Sequence, residues 1–232
     1  TILIRHYDVV NHEACMATLK EQTEAKVEAG RKGNPDFMKG VDAEIAKAKS
    51  FQQGSDALAL ALGDKAPEFT LPDAKLNTVS LTSLLNQGPV VVTFYRGSWC
   101  PYCNLQLRAL QSRLDDIKSL GATLVAISPQ VPDDSLSEDE ISKMDFIVLS
   151  DQSAKVAGQY GVAWEVPEFL IEHMKNDRQL DLETINNGNG NILPIPATFV
   201  LNQNGDVTWR YVDVDYRTRS EPQDIIDALK SM

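Results

Sequence analysis

Val90-Val91-Val92-Thr93-Phe94-Tyr95-Arg96-Gly97-Ser98-Trp99-Cys100-Pro101-Tyr102-Cys103 joins a continuous apolar, β-branched run to a pair of cysteines spaced C-x-x-C. A run of that kind from Val90 to Tyr95 predicts a strand covered on both faces of a sheet, ended by Arg96-Gly97-Ser98. From Pro101 to Leu120, the residues Leu105, Leu107, Leu110, Leu114, Ile117 and Leu120 recur near helical spacing, and Gly121 closes the segment. A second buried strand, Thr123 to Ser128, follows at once. Strand, tight turn, helix and strand form a β-α-β unit, whose parallel strands cross over right-handedly. The cysteines sit in its loop.

Cysteines at i and i+3 at a helix entrance place one sulfur at the mouth and the other one turn in, on the same side, within reach of a disulfide. The unpaired N–H groups and the dipole of the first turn favour a thiolate, and can lower a cysteine pKa from about 8.5 toward roughly 3.5 to 7.5. The thiolate is the nucleophile. Pro101 suits a first-turn position whose N–H has no partner in any case. A structural zinc site would need two further ligands, and outside the motif the chain offers only Cys15, His6, His12 and His173, with no second paired spacing. Two buried structural cysteines are the other reading, and the β-α-β setting argues against it.

Outward from this unit, the sequence predicts a strand at Phe146 to Leu149, helices at Ala154 to Tyr160 and around Pro167 to Met174, and a hairpin of Ala197 to Leu201 with Val207 to Val212. Asn202-Gln203-Asn204-Gly205-Asp206 supplies the hairpin turn. A last helix is expected from Glu221 to Lys230, and Asn186 to Asn191 reads as a turn-rich, mobile loop. In Pro194-Ile195-Pro196-Ala197-Thr198-Phe199 a proline opens a strand. Either Ile195-Pro196 is a cis bond facing the cysteines or Pro196 is an ordinary trans proline.

Toward the N-terminus, Ala14 to Phe51 is rich in Ala, Glu and Lys, with spaced apolar positions that predict two amphipathic helices broken near Gly33-Asn34-Pro35. Cys15 falls here as a small core residue. A short apolar stretch, Ala57 to Leu62, extends or follows these helices, and Gly63-Asp64-Lys65-Ala66-Pro67 marks a shift of composition. The chain therefore divides into a helical extension, 1–62, and an α/β domain, 63–232, with a central mixed sheet flanked by helices. The extension either packs on its own domain or forms a homodimer interface.

With 232 residues and 43% hydrophobic content, the chain can bury one substantial core. A net charge of −11 with no Lys/Arg cluster argues against nucleic acid as a partner, and no apolar run is long enough to span a membrane. Thr1 to Asp8 carries charge and a histidine where a secretory signal needs a longer apolar core. No such signal is read there, and the start at Thr1 rather than Met leaves a removed leader open. Three cysteines, two of them paired, suit a reducing compartment, and the expected location is the cytoplasm.

From Gly63 onward the chain resembles the AhpC/TSA peroxiredoxins, in the branch with a C-x-x-C, through Gly63 to Asp73, Phe94 to Cys103 and Pro196 to Leu201. The resemblance implies a thioredoxin-like fold and hydroperoxide reduction by a Cys100/Cys103 dithiol-disulfide cycle. It also implies electrons from thioredoxin or a similar dithiol, and no cofactor. A gap-free comparison with the peroxiredoxin pattern puts the attacking cysteine at Cys103, the family's Pro at Arg96 and its Thr at Cys100. The Arg that helps hold the peroxide falls on Pro196. Cys100 and Pro196 match instead the attacking cysteine and cis-proline of thioredoxins, whose buried acid falls on Phe94. By one reading Cys103 attacks peroxide and Cys100 resolves; by the other Cys100 attacks a protein disulfide. Arg96 is expected either to favour a thiolate or to cap a surface turn. Trp99 is expected to shield the pair, or to be packing alone. A redox-sensing interaction protein, with both thiols near the ordinary value, is the non-enzymatic alternative.

Overall fold

The computed structural model describes residues 17–51, 58–131 and 144–232. Cys15, His6, His12, the Thr1 to Asp8 segment and the start of the Ala57 to Leu62 stretch lie outside the described residues. Helices α1 (Leu19–Gly33) and α2 (Pro35–Phe51) lead, followed by strands β1 (Thr70–Pro72) and β2 (Thr78–Ser80) and the short helix α3 (Leu81–Leu85). Then come β3 (Val90–Phe94), α4 (Pro101–Ser112), α5 (Leu114–Ser119), β4 (Thr123–Ser128), β5 (Ile147–Ser150) and α6 (Lys155–Gln159). The C-terminal part holds β6 (Ala163–Glu165), α7 (Glu168–Arg178), α8 (Leu182–Ile185), β7 (Ile192–Pro194), β8 (Ala197–Leu201), β9 (Val207–Val212) and α9 (Pro222–Lys230).

One five-stranded sheet, in the order β5-β4-β3-β8-β9, forms the centre. β3 and β4 are parallel, as are β4 and β5, while β8 runs antiparallel to both of its neighbours, β3 and β9. The sheet is therefore mixed, as the thioredoxin-like expectation requires. All five residues of β3 are buried because successive side chains enter opposite cores. Val91 packs with Leu107, Leu110, Ile117 and Ile225 on one face. Val90, Val92 and Phe94 face the other, where Phe94, Tyr160 and Phe199 pack with ring centroids 5.2–6.3 Å apart.

The helix expected over 101–120 is two helices. Arg113, at φ −115°, leaves the helical region, donates its N–H to the Leu110 carbonyl and reaches with its side chain to Asp116 and to Gln223 of α9. Ile195-Pro196 is trans, since no cis peptide bond occurs among the described residues. The Asn186 to Asn191 segment is a turn in which Asn187, Gly188, Gly190 and Asn191 all have positive φ.

The break between α1 and α2 falls at Asn34, as the sequence indicates. Thr18 and Glu21 form a capping box at the start of α1, and the Asn34 side chain accepts from the Phe37 N–H at the start of α2. The pair packs on its own chain: Val41 and Ile45 are buried in the same core as Leu170 and Met174 of α7. Two sets of polar contacts dock it. The Glu221 carboxylate accepts from the N–H groups of Leu19 and Lys20, and Asp42 receives both Arg31 (2.6 Å) and Arg217 (2.7 Å).

Candidate active site

Cys100 is the N-cap of α4, with Pro101 in the first helical position, so the loop from Arg96 delivers a sulfur to the end of a helix where N–H groups converge. The loop is fixed from several sides. Cys100 N–H donates to the Gly97 carbonyl, Asn104 Nδ2 to the Ser98 carbonyl, and Ser98 N–H to Gln130 Oε1. Gly97, at φ +150°, lies where a Cβ would sit 2.3 Å from Trp99 Nε1, so the turn needs a residue without a side chain.

Both cysteines are free thiols and are hydrogen-bonded to each other. Cys100 is 1% exposed and Cys103 0%, but only Cys100 lines a cavity of about 400 Å³. The walls of that cavity come from the active-site loop, from α1 and α2, and from α7. The N-terminal helices therefore roof the cysteine site.

Two guanidinium groups lie beside the pair. Arg219 is 7% exposed, donates from Nη1 to the carbonyls of Tyr216 and Thr218, and places Nη2 3.0 Å from Cys103 Sγ. Arg96 is 5% exposed and held between aromatic rings, its Cζ 4.3 Å from the centroid of Tyr216 and 5.1 Å from that of Trp99. Its backbone N–H points at Cys103 Sγ, 3.5 Å away. Arg96 is thus not a surface cap, and Trp99 packs against its cation.

These neighbours split the two thiols. Burial pushes Cys100 up, but the hydrogen bond from Cys103 and the charges of Arg96 and Arg219 outweigh it and hold Cys100 well below the ordinary cysteine value. Burial, together with the hydrogen bond given to Cys100 and the negative charge there, holds Cys103 well above, although Arg219 pulls the other way. The thiol that is pulled down lies at the helix mouth and faces the cavity, and the one that is pushed up sits behind it.

Of the residues singled out in the sequence, Cys100, Cys103, Arg96 and Trp99 come together. Pro196 does not line the cavity; it is buried, and its carbonyl accepts from the Asp213 N–H. Phe94, in place of the thioredoxin acid, faces the opposite core. Arg219 and Tyr216 are residues that the sequence reading missed, because they lie between β9 and α9, in a stretch with no motif. Among the described residues no group of three or more His, Cys, Asp or Glu side chains is placed to hold a metal ion, and no helix is long and apolar enough to cross a membrane.

Known proteins resemble this chain in sequence and in fold. Residues 62–210 match the AhpC/TSA family. Peroxiredoxin Bcp of Escherichia coli K12 is 34% identical over 111 residues, which cover 48% of this chain and 70% of that protein. A putative peroxiredoxin bcp of Haemophilus influenzae is 26% identical over 173 residues, 75% of this chain and 98% of its own. Among solved structures, peroxidoxin BcpB of Mycobacterium tuberculosis superposes with a TM-score of 0.57 at 22% identity, covering 75% of this chain and 98% of the other. A peroxiredoxin-like protein from Aquifex aeolicus gives 0.58 at 15% identity, covering 75% and 88%. With the family match spanning more than half of the sequence, the chain belongs to the AhpC/TSA family of peroxiredoxins.

Proposed function

We propose that the protein reduces hydroperoxides through a Cys100/Cys103 cycle in which Cys100 attacks and Cys103 resolves. The carrying observation is that Cys100, whose pKa is pulled below the ordinary value, is the sulfur that lines the cavity, while Cys103 lies behind it against Arg219. In the first step the Cys100 thiolate takes the distal oxygen of ROOH, the O–O bond breaks, and the leaving alkoxide gains a proton to become ROH. Cys100 is now a sulfenic acid. Cys103 then loses its proton and attacks that sulfur, and hydroxide leaves with the proton as water, closing a disulfide. An external thiol reduces the disulfide by exchange. A thioredoxin-type dithiol protein, the reductant that the resemblance implies, reaches Cys100 only if α1 and α2 leave the cavity, whereas a small thiol needs no such movement. This reading keeps residues 1–62 as an appendage to a redox domain of 63–232, acting in the reducing environment of the cytoplasm.

The opposite order, with Cys103 attacking, is favoured by Arg219 at 3.0 Å and by the family pattern, which puts the attacking cysteine there. Trapping of sulfenic acid after one equivalent of hydroperoxide separates the two. In Cys103→Ser the trap should label Cys100 at a rate close to that of wild-type disulfide formation, and in Cys100→Ser labelling of Cys103 should be far slower. The reverse pattern assigns the attack to Cys103. A disulfide reductase without peroxide chemistry is the second reading, supported by the same division into an outer cysteine of lowered pKa and an inner one of raised pKa. It requires insulin-type disulfide reduction that fails in Cys100→Ser, with no hydroperoxide consumed by the wild type.

A further inference from the structure

The chain carries a net charge of −11, yet the cavity above Cys100 has no Asp or Glu in its lining. Its charged lining residues are Lys26 on α1, Arg178 on α7 and the buried Arg96. Among the described residues neither Lys26 nor Arg178 forms an ion pair. Arg96 Nε is buried without a hydrogen-bond partner, so that this donor is unused, and the guanidinium lies against the rings of Trp99 and Tyr216. Between these cations lies an apolar wall that includes Phe37, Met38, Leu170 and Met174. A cavity of about 400 Å³ has the size of a small-molecule site.

We infer that this cavity binds a small thiol bearing a carboxylate, and that such a thiol, not a folded protein, is the direct reductant of the Cys100–Cys103 disulfide. The inference rests on the proposed cycle only in needing that disulfide to form. Three observations converge on it. Exchange needs a sulfur in line with the S–S bond, and Cys100 is the sulfur that faces the cavity. Its 1% exposure under α1 and α2, which are docked through Glu221 and through Asp42 with Arg31 and Arg217, favours a reductant small enough to enter the cavity over a protein cysteine. The unpaired cations then select an anion among small thiols.

The step balances as ordinary exchange. The thiolate of the small thiol attacks Cys100 Sγ, the bond to Cys103 breaks, and Cys103 leaves as a thiolate beside Arg219 and takes up a proton. A second molecule attacks the sulfur of the first, releasing its disulfide and the Cys100 thiolate. Two thiols are oxidised to one disulfide, and the protein disulfide is reduced.

The test uses the full chain with its pair oxidised by diamide, so that a lack of peroxidase activity leaves the experiment intact. Reduction rates are measured with 3-mercaptopropionate, 2-mercaptoethanol and cysteamine. Each is corrected for its thiolate fraction and divided by its rate on hydroxyethyl disulfide, which is neutral. The anionic thiol should exceed the cationic one by roughly tenfold, with the neutral thiol between them, and salt should shrink the spread. In Lys26→Glu/Arg178→Glu the order should invert. Both residues are exposed, and unchanged circular dichroism will show that the fold persists. An order set only by thiol reactivity, or one unmoved in the double variant, overturns the inference. So does faster reduction of the wild type by a thioredoxin-type protein than by any of the three. A chain that shows the charge order but consumes no hydroperoxide retains this inference and loses the proposed function.

Discussion

Arg219 shows how a residue far away in sequence bears on the pair. It is almost fully buried, and 116 positions of sequence separate it from the sulfur it touches. An opposite charge at such range favours the ionised form of a thiol by roughly one to three pKa units. Replacing Arg219 with Met keeps most of the volume and removes the charge. The pH at which the pair first loses a proton, followed by thiolate absorbance, should rise by about one unit or more, and hydroperoxide consumption at neutral pH should fall roughly tenfold. Arg219→Lys should restore part of both. If the Met variant titrates like wild type, the guanidinium does not act on the thiols. The cysteines were legible because their spacing at a strand-to-helix turn carries its own chemistry. Arg219 was not, since its position depends on how the chain returns from β9 to α9, which no local pattern encodes. Arg96 was legible as a nearby charge, but its setting between Trp99 and Tyr216 needed the folded chain.

The elements that matter most for access are α1 and α2. Their boundaries were readable from Gly33-Asn34-Pro35, but what they cover was not, because an amphipathic face shows which side is apolar and says nothing of its partner. Asp42 is the acidic centre of their docking. The hydrogen bond from Arg31, with that from Arg217, holds its carboxyl below the usual value despite some burial. Because the folded pKa is the lower one, the stabilisation is present above the unfolded value of about 3.9 and is lost as pH falls through the folded value. Amide protection of α1 and α2 should therefore decline below about pH 4, before that of the central sheet. In Asp42→Asn the decline should be absent and the protection lower throughout, by about 1 kcal/mol given the partial exposure of the pair. Equal protection of helices and sheet at every pH would contradict the docking described. The break at Arg113 was missed because leucine spacing continues across it, while a bridge from Arg113 to Asp116 and Gln223 ends the first helix.

Across the whole molecule, the five-stranded sheet was readable where strands form long buried runs, at 90–95, 123–128 and 197–201. The two-stranded pairs β1/β2 and β6/β7 were not, since three-residue strands are too short to show a period. Stability should centre on the sheet face shared by Phe94, Tyr160 and Phe199. Phe199→Ala, at a fully buried position on the interior strand β8, should cost about 3–5 kcal/mol in denaturant unfolding, and a loss below about 1 kcal/mol would show that this face is not the core. That rigid sheet holds the N-terminus of α4 against the segment carrying Arg219, and the roof then leaves Cys100 as the sulfur that meets the cavity.

The most direct measurement is intact and peptide mass spectrometry of the reduced full chain after one equivalent of hydroperoxide, with the alcohol product quantified in parallel. The expected result is one alcohol formed per chain and the loss of two hydrogens from the peptide containing Cys100 and Cys103, as an internal disulfide. Unconsumed hydroperoxide with both thiols still free, or oxidation confined to Cys15, would contradict it.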